Sequence, residues 1–381
     1  MSKRKTLEGW SNVKVKDILD RVRNPVEVIK DENYTQIGIR SHGKGIFYKE
    51  PVTGEELGNK AVFWIEPDCF IVNIVFAWEM AVARTTRKDK GYIASHRFPM
   101  YKPKKEILDL DFITYLFKSS RGKYLLNLAS PGGAGRNKTL GQKEFEEINI
   151  LLPTDIEEQR KIASILINWD KAIELKEKLI EQKKEQKKGL MQKLLTGENR
   201  LPGYDEKWEK VDFEEVFIRI PIKKNQIKTN EYLKSGKFPV VDQGKEKIVA
   251  YSNDELKVFQ VDSGVIIFGD HTRERKFIDF DFIVGADGTQ VLNTNDGFNI
   301  KFYYYCLLNK YIPNTGYNRH FKFLKEMWFY KPSLKEQIDI AELLANIDEE
   351  IKLLSQELKI VRQQKAGLMQ QLLTGKIRVK V

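Results

Sequence analysis

Cysteine and histidine are scarce in this sequence: 381 residues carry two of the first and four of the second. Cys69 and Cys306 lie far apart, each in an apolar run, so they are expected to be buried free thiols in a reducing compartment. Such small numbers give no spaced set of metal ligands. No apolar run reaches the roughly 18 residues a membrane span needs, and the opening MSKRKTLEGW lacks the apolar core of a secretory signal. A cytoplasmic protein is the expectation. Acidic residues are the minority, 54 against 65 Lys and Arg, and the net charge of +11 favours a polyanion as partner, nucleic acid before membrane. What is present in quantity is hydrophobic material, 41% of the chain with 21 Phe and 15 Tyr, enough for real cores and an argument against wholesale disorder. The length suggests two or three domains.

One long segment occurs twice. Residues 156–200 slide without a gap over residues 334–378, and the tails GLMQKLLTG and GLMQQLLTG differ at one position. A duplication of this length implies two equivalent halves. In the second copy Ile340, Leu344, Ile347, Ile351, Leu354, Leu358, Val361, Leu368 and Leu372 fall at alternating steps of four and three, broken only by Lys365, which is the seam of a coiled coil. The first copy keeps Ile162, Leu166, Trp169, Ile173, Ile180, Leu190 and Leu194 but puts Lys176, Lys183 and Lys187 at further seam positions. Its middle is weaker and basic, and these lysines could face either a partner helix or a DNA backbone. Each copy follows a proline, Pro153 or Pro332, and ends at a Thr-Gly step suited to a C-cap. Neither rod can bury its stripe alone, so the two are expected to pair.

The segments between the rods are expected to be globules: residues 1–152 and 203–332, with rods over 153–202 and 333–381. Trp10 and Trp208 open two similar phrases, and each is followed by strand-like runs, a helical patch, a basic Gly-containing loop and a last strand. An α+β globule on each rod is the economical architecture.

Candidate contacts to nucleic acid lie in the turns. SPGGAGRNKTL carries Arg136, Asn137 and Lys138, and NTGYNRHFK carries Tyr317, Asn318, Arg319, His320 and Lys322 at the matching place in the second half. Glycine permits close backbone approach, Arg reads guanine edges or phosphate, and Asn pairs with adenine. The strand-end turns ARTTRKDK (Arg84, Arg87, Lys88) and HTRERK (His271, Arg273, Arg275) suit phosphate and base contact, as does GADGTQ with Thr289 and Gln290. Three catalytic signatures fail. GIRSHGKG has Walker A spacing up to Lys44 but ends in Gly45 and precedes IFY, not a helix. Asp242, Glu255 and Lys257 mimic the acidic and lysine set of a metal-dependent nuclease, a pattern frequent by chance in so charged a chain. No methyltransferase signature is present.

Two variable globules, each opened by a Trp phrase, alternate with near-identical long helices that begin around Gln159 or Gln337 and end in GLMQKLLTG or GLMQQLLTG. In this the whole chain resembles the specificity subunit of Type I restriction-modification systems. The resemblance implies an α+β fold in which two target recognition domains alternate with two long helices paired as an antiparallel coiled coil. It implies a non-catalytic reader of double-stranded DNA, each domain taking one half of a split target while the helices set the spacing. It further implies docking of two modification subunits, which carry S-adenosylmethionine, and through them of restriction subunits, which use ATP and Mg; this chain would hold no cofactor. The shared rod ends, Leu190, Met191, Leu194, Leu195, Leu368, Met369, Leu372 and Leu373, are the candidate docking surface, because two copies of one partner need two copies of one surface. The alternative is that those leucines seal the coiled coil. A stand-alone nuclease and a coiled-coil scaffold without a DNA role are the rival classes.

Overall fold

The structure, a computed structural model, describes residues 7–132, 138–285, 287–316 and 318–380. The two rods are unbroken helices of 39 residues, Ile156–Leu194 and Leu334–Leu372. The chain forms two compact units that cut across the four segments expected from the sequence. One joins the residues up to Lys176 to those from Glu357 onward, and the other is Glu177–Gln356. Each unit therefore contains one globule and parts of both rods.

In the first unit a four-stranded antiparallel sheet runs in the order Leu19–Val22, Met100–Pro103, Phe70–Val72, Val82–Arg84. The helices Leu110–Lys118 and Ser120–Leu128 cover it, and Trp10–Lys14 pairs with Asn149–Pro153 just before the first rod. In the second unit the order Phe217–Ile220, Thr289–Thr294, Val265–Gly269, Arg275–Ile278 repeats that sheet, helix Ile300–Asn309 covers it, and Glu209–Asp212 pairs with Trp328–Lys331. A further sheet there is formed by Ala250–Ser252, Phe238–Val241, Phe282–Val284 and Val258–Phe259, with one parallel pair.

The repeated rod ends are core. Leu372 and Leu373 pack with Trp10, Phe112, Ile162 and Leu166 in the first unit. Met191, Leu194 and Leu195 pack with Phe213, Phe302, Ile340 and Leu344 in the second. The start of one rod and the end of the other thus share a core with each globule, because an apolar stripe leaving its own globule must be buried somewhere. Electrostatics point the same way. Glu158 and Glu336, in the first turns of the rods, have side chains 2% and 0% exposed. Arg378 clamps Glu158 through Nε and Nη2 at 2.6 and 2.8 Å, and Arg200 clamps Glu336 at 2.6 and 2.7 Å. Gln159 accepts from the Asp109 N–H and donates to the Ile107 and Pro153 carbonyls; Gln337 does the same with Asn299, Gly297 and Pro332. The two glutamines tie each rod's start to its covering helix.

The basic interruption of the first rod faces the second rod. Lys176 pairs with Glu357 at 2.6 Å in the first unit; Lys183 with Glu350 at 2.9 Å and Lys187 with Asp348 at 2.6 Å in the second. Lys365, the break in the second seam, meets Asp170 at 2.5 Å. As the first rod's numbers rise the partners' fall, which is antiparallel pairing. These lysines are therefore engaged with carboxylates and do not form a free basic face, so of the two alternatives left open by the sequence it is the partner helix that they face. Tyr115 donates to Asp170 at 2.5 Å and Tyr305 to Asp348 at 2.8 Å, so the same Tyr–Asp–Lys group occurs once per unit. Exposed pairs contribute little each, but a mismatched register would leave partly buried lysines without acids.

Arg200→Ala leaves the Glu336 carboxylate buried without its bidentate partner. A loss of about 3 kcal/mol is expected, with Arg200→Lys recovering part of it. Thermal denaturation of the two variants checks this; wild-type melting of Arg200→Ala would show that the clamp adds nothing.

Candidate nucleic-acid interface

In the second unit, the end of the strand Phe217–Ile220, the Asp270–His271 turn, the Asp287–Gln290 turn and Arg319 line a cleft of about 630 Å³. Four residues singled out from sequence, His271, Thr289, Gln290 and Arg319, meet there although they come from three separate stretches. Arg219, Lys223 and Gln226 join them. Arg219, Lys223 and Arg319 are exposed and have no hydrogen bond or ion pair among the described residues. The Arg219 guanidinium lies 5.6 Å from the Phe321 ring, which limits its wandering without using its donors. Gln290 brings an amide. Arg and amide side chains beside one another are what base-edge reading in a groove requires.

The loops around the cleft are held from behind by Gln243. Its Oε1 accepts from the His271 N–H at 3.1 Å, its Nε2 donates to the Asp287 carbonyl at 2.7 Å, and its own carbonyl accepts from the Thr272 hydroxyl. Gly288 has φ +86°, and a Cβ there would come within 2.8 Å of Gln243 and His271. The turn that presents Thr289 and Gln290 therefore has room only for glycine.

The first unit has a counterpart. Its cleft of about 250 Å³ is bordered by Arg21, Arg23, His96 and Gln142 with walls of Phe63, Phe98, Pro99 and Met100. Val22 pairs with Met100 and Ile220 with Val291, so Arg21 and Arg219 occupy the same place in equivalent strands. Both follow their Trp at the same distance in the matched phrases WSNVKVKDILDR and WEKVDFEEVFIR. That spacing was the available signal, and a lone Arg inside a strand run concealed it.

Several of the expected contact residues already have partners inside their unit. Arg84 ion-pairs with Asp111 at 2.5 Å and Asp68 at 3.1 Å; burial opposes its charge, but the two acids outweigh it and raise its pKa. Arg275 donates to the Leu307 and Lys310 carbonyls at 2.5 and 2.9 Å, and burial lowers its pKa. Arg273, with φ +63°, donates to the Ile312 carbonyl. His320 is fully buried and its Nδ1 donates to the Asp270 carbonyl at 2.9 Å. In each case a backbone carbonyl or carboxylate inside the unit has already taken the donor. Asn318 caps the Thr315 carbonyl with its amide, and Lys138 donates to Asn127 at 3.0 Å. Arg87 and Lys88 are exposed on a short turn held by the Thr86–Asp89 capping box, and Lys322 is exposed over Phe323. None of these three lines either cleft. Arg136, Asn137 and Tyr317 lie outside the described residues.

Of the candidate docking residues, Met191, Leu194, Leu195, Leu372 and Leu373 are buried in the two cores, and Leu190, Leu368 and Met369 pack partly buried against them. The docking reading is corrected for the five buried side chains, which have no surface to offer. The nuclease-like set is dispersed: Glu255 pairs with Lys237, Lys257 with Glu231, and Asp242 accepts from the Gly244 N–H. Among the described residues no cluster of His, Cys, Asp or Glu could hold a metal, and no helix is long and apolar enough to cross a membrane.

The family described as Type I restriction modification DNA specificity domain matches residues 8–184 and 205–363, one stretch per half. The chain belongs to the Type I restriction-modification specificity subunits. A putative Type I restriction enzyme MjaX specificity subunit of Methanocaldococcus jannaschii is 26% identical over 413 residues, covering 98% of this chain and 95% of the relative. The MjaVIII specificity subunit of the same organism is 26% identical over 423 residues, with coverage of 98% and 94%. In fold, the chain is similar to the Type I restriction-modification S subunit of M. genitalium, with a TM-score of 0.61, 15% identity and 98% of each chain covered. The specificity subunit's DNA role agrees with clefts lined by uncommitted arginines.

Two substitutions separate the roles. Arg275→Ala should lower the melting temperature, since two carbonyls lose their donor at a cost of about 1–3 kcal/mol. Arg219→Ala should melt like wild type and relax base preference at one position by about 1–3 kcal/mol. Duplex-binding selection together with thermal melts checks both, and a reversed pattern would exchange the assignments.

Proposed function

We propose that this specificity subunit reads a bipartite duplex target, the cleft beside Arg219 taking one half and the cleft beside Arg21 the other. The observation that carries the reading is the recurrence of one cleft at one place in two units, with Arg21 and Arg219 in register-equivalent strands. The chain acts without chemistry of its own; methyl transfer and cleavage belong to modification and restriction subunits. Two modification subunits dock on the repeated rods, using the exposed face that includes Gln192, Lys193, Gln370 and Gln371 in place of the buried leucines. The rods set the spacing between half-sites, each spanning roughly 60 Å at ~1.5 Å per residue.

Replacing residues 203–332 by the matching region of another family member, in the assembled complex, should change one half of the methylated target and leave the other half intact. Sequencing of methylated DNA reads this directly. A change in both halves, or an undivided target, would overturn the bipartite assignment.

A further inference from the structure

The turn Ser41–Gly45, set aside as a nucleotide loop, reappears in the first unit as the tip of a hairpin between the strands Ile37–Ile39 and Ile46–Tyr48. No helix follows it, so a Walker A cradle is excluded by geometry as well as by sequence. Its backbone is fixed: the His42 and Gly43 N–H groups donate to the Glu79 and Met80 carbonyls at 2.7 and 2.9 Å, and Arg40 N–H to the Gly45 carbonyl at 3.0 Å. With helix Leu110–Lys118 and segments of both rods it encloses a cleft of about 580 Å³. Lys44, Lys118, Arg362 and Lys365 contribute positive charge, and Asp170 is the one carboxylate in its lining. That carboxylate is already taken by Lys365 and by the Tyr115 hydroxyl, both at 2.5 Å.

Lys118 is the residue that calls for an explanation. The Tyr–Asp–Lys groups align helix Leu110–Lys118 with helix Ile300–Asn309, Tyr115 corresponding to Tyr305. Three residues on, the second unit has Leu308, packed half-buried against its apolar core, where the first unit has Lys118. The hairpin lies on the Lys118 stem closely enough that a Cβ on Gly43, at φ +66°, would fall 2.9 Å from Lys118 Cγ. The ammonium has no hydrogen bond to any described residue; the Tyr115 ring lies at 5.7 Å, and Asp170 and Asp111 act on it only through space. Burial lowers its pKa. A sheltered cation without a hydrogen-bonded acid is costly by itself and favourable once an anion arrives. A multiply charged oxyanion offers enough acceptors for Lys44, Lys118 and the rod cations together.

We propose that this cleft in the first unit is a phosphate-binding site, with Lys118 and Lys44 as the principal donors. The ligand chemistry is a phosphoryl group, supplied by a duplex backbone or by a free di- or triphosphate. The site is separate from the cleft beside Arg21, shares no lining residue with it, and has no counterpart charge at Leu308.

The test is lysine acylation of the full-length chain, read residue by residue by mass spectrometry, without ligand, with inorganic pyrophosphate, and with a random-sequence duplex. Protection of Lys118 and Lys44 by pyrophosphate supports the site and assigns it to free phosphates. Protection by duplex alone supports it and assigns it to the DNA backbone. No protection by either, with the duplex still bound in a gel shift, overturns this inference and leaves the DNA-reading proposal standing. Failure of the duplex to bind at all counts against that proposal, while the pyrophosphate arm still decides this one. Lys118→Leu, which installs the second unit's own residue, is the companion variant. It should melt above wild type without ligand and lose any rise in melting temperature with pyrophosphate. Equal rises in both proteins would also overturn the site.

Discussion

Two buried carboxylates, Glu158 and Glu336, constrain how the ends of the two rods meet. Each sits in the first turn of a rod, where the helix N-terminus favours negative charge, and each is out of water. Such a group is tolerated only with a full set of donors. The donors come from Arg378 and Arg200, each just beyond the end of the opposite rod. The clamp therefore decides which end meets which start. Through it residues from the extreme C-terminal part of the chain complete the core around Trp10, and Leu194 and Leu195 complete the core around Phe213. Once the ends are matched, the remaining charges fall into place along the rods. Lys176, Lys183, Lys187 and Lys365 each find an acid, and the Tyr–Asp–Lys group forms in both units.

Much of this was readable in the sequence because duplication multiplies weak signals. The rods, the Trp phrases and the order of elements stood out as paired occurrences, and the glutamines at the rod starts proved to hold the covering helices. The basic break in the first rod was ambiguous for a physical reason: a seam lysine reads as a defect until the acid opposite it is known, and that acid lies far away in sequence. The same blindness explains Arg84, Arg275 and His320. A basic residue in a turn looks free, yet carbonyls of Leu307, Lys310 and Asp270 and the carboxylates of Asp111 and Asp68 had claimed them. Arg219 and Arg21 went unnoticed for the opposite reason, since a strand interior conceals an arginine that the sheet edge turns into a cleft.

The two units are alike in framework and unlike in what they expose. Equivalent strands place Arg21 and Arg219, but the surrounding walls are aromatic and apolar in one cleft and polar in the other. Two walls of different chemistry on one framework suit two different half-sites. The contrast of Lys118 with Leu308 shows that divergence also reaches the helices that contact the rods.

The central proposal is that rod length sets the distance between the half-sites read, and its most direct measurement is spacer preference after both rods are shortened. Deleting Ile173–Leu179 together with Ile351–Glu357 removes one heptad from each rod and takes Lys176 and Glu357 away as a pair. The rod shortens by ~10 Å, or ~3 base pairs at ~3.4 Å each, while the duplex turns by roughly 100° at ~10–10.5 base pairs per turn. Binding selection from a library holding both half-sites at every spacing should show weaker binding and a shorter preferred spacer. A folded deletion variant that keeps the original spacing would contradict the account.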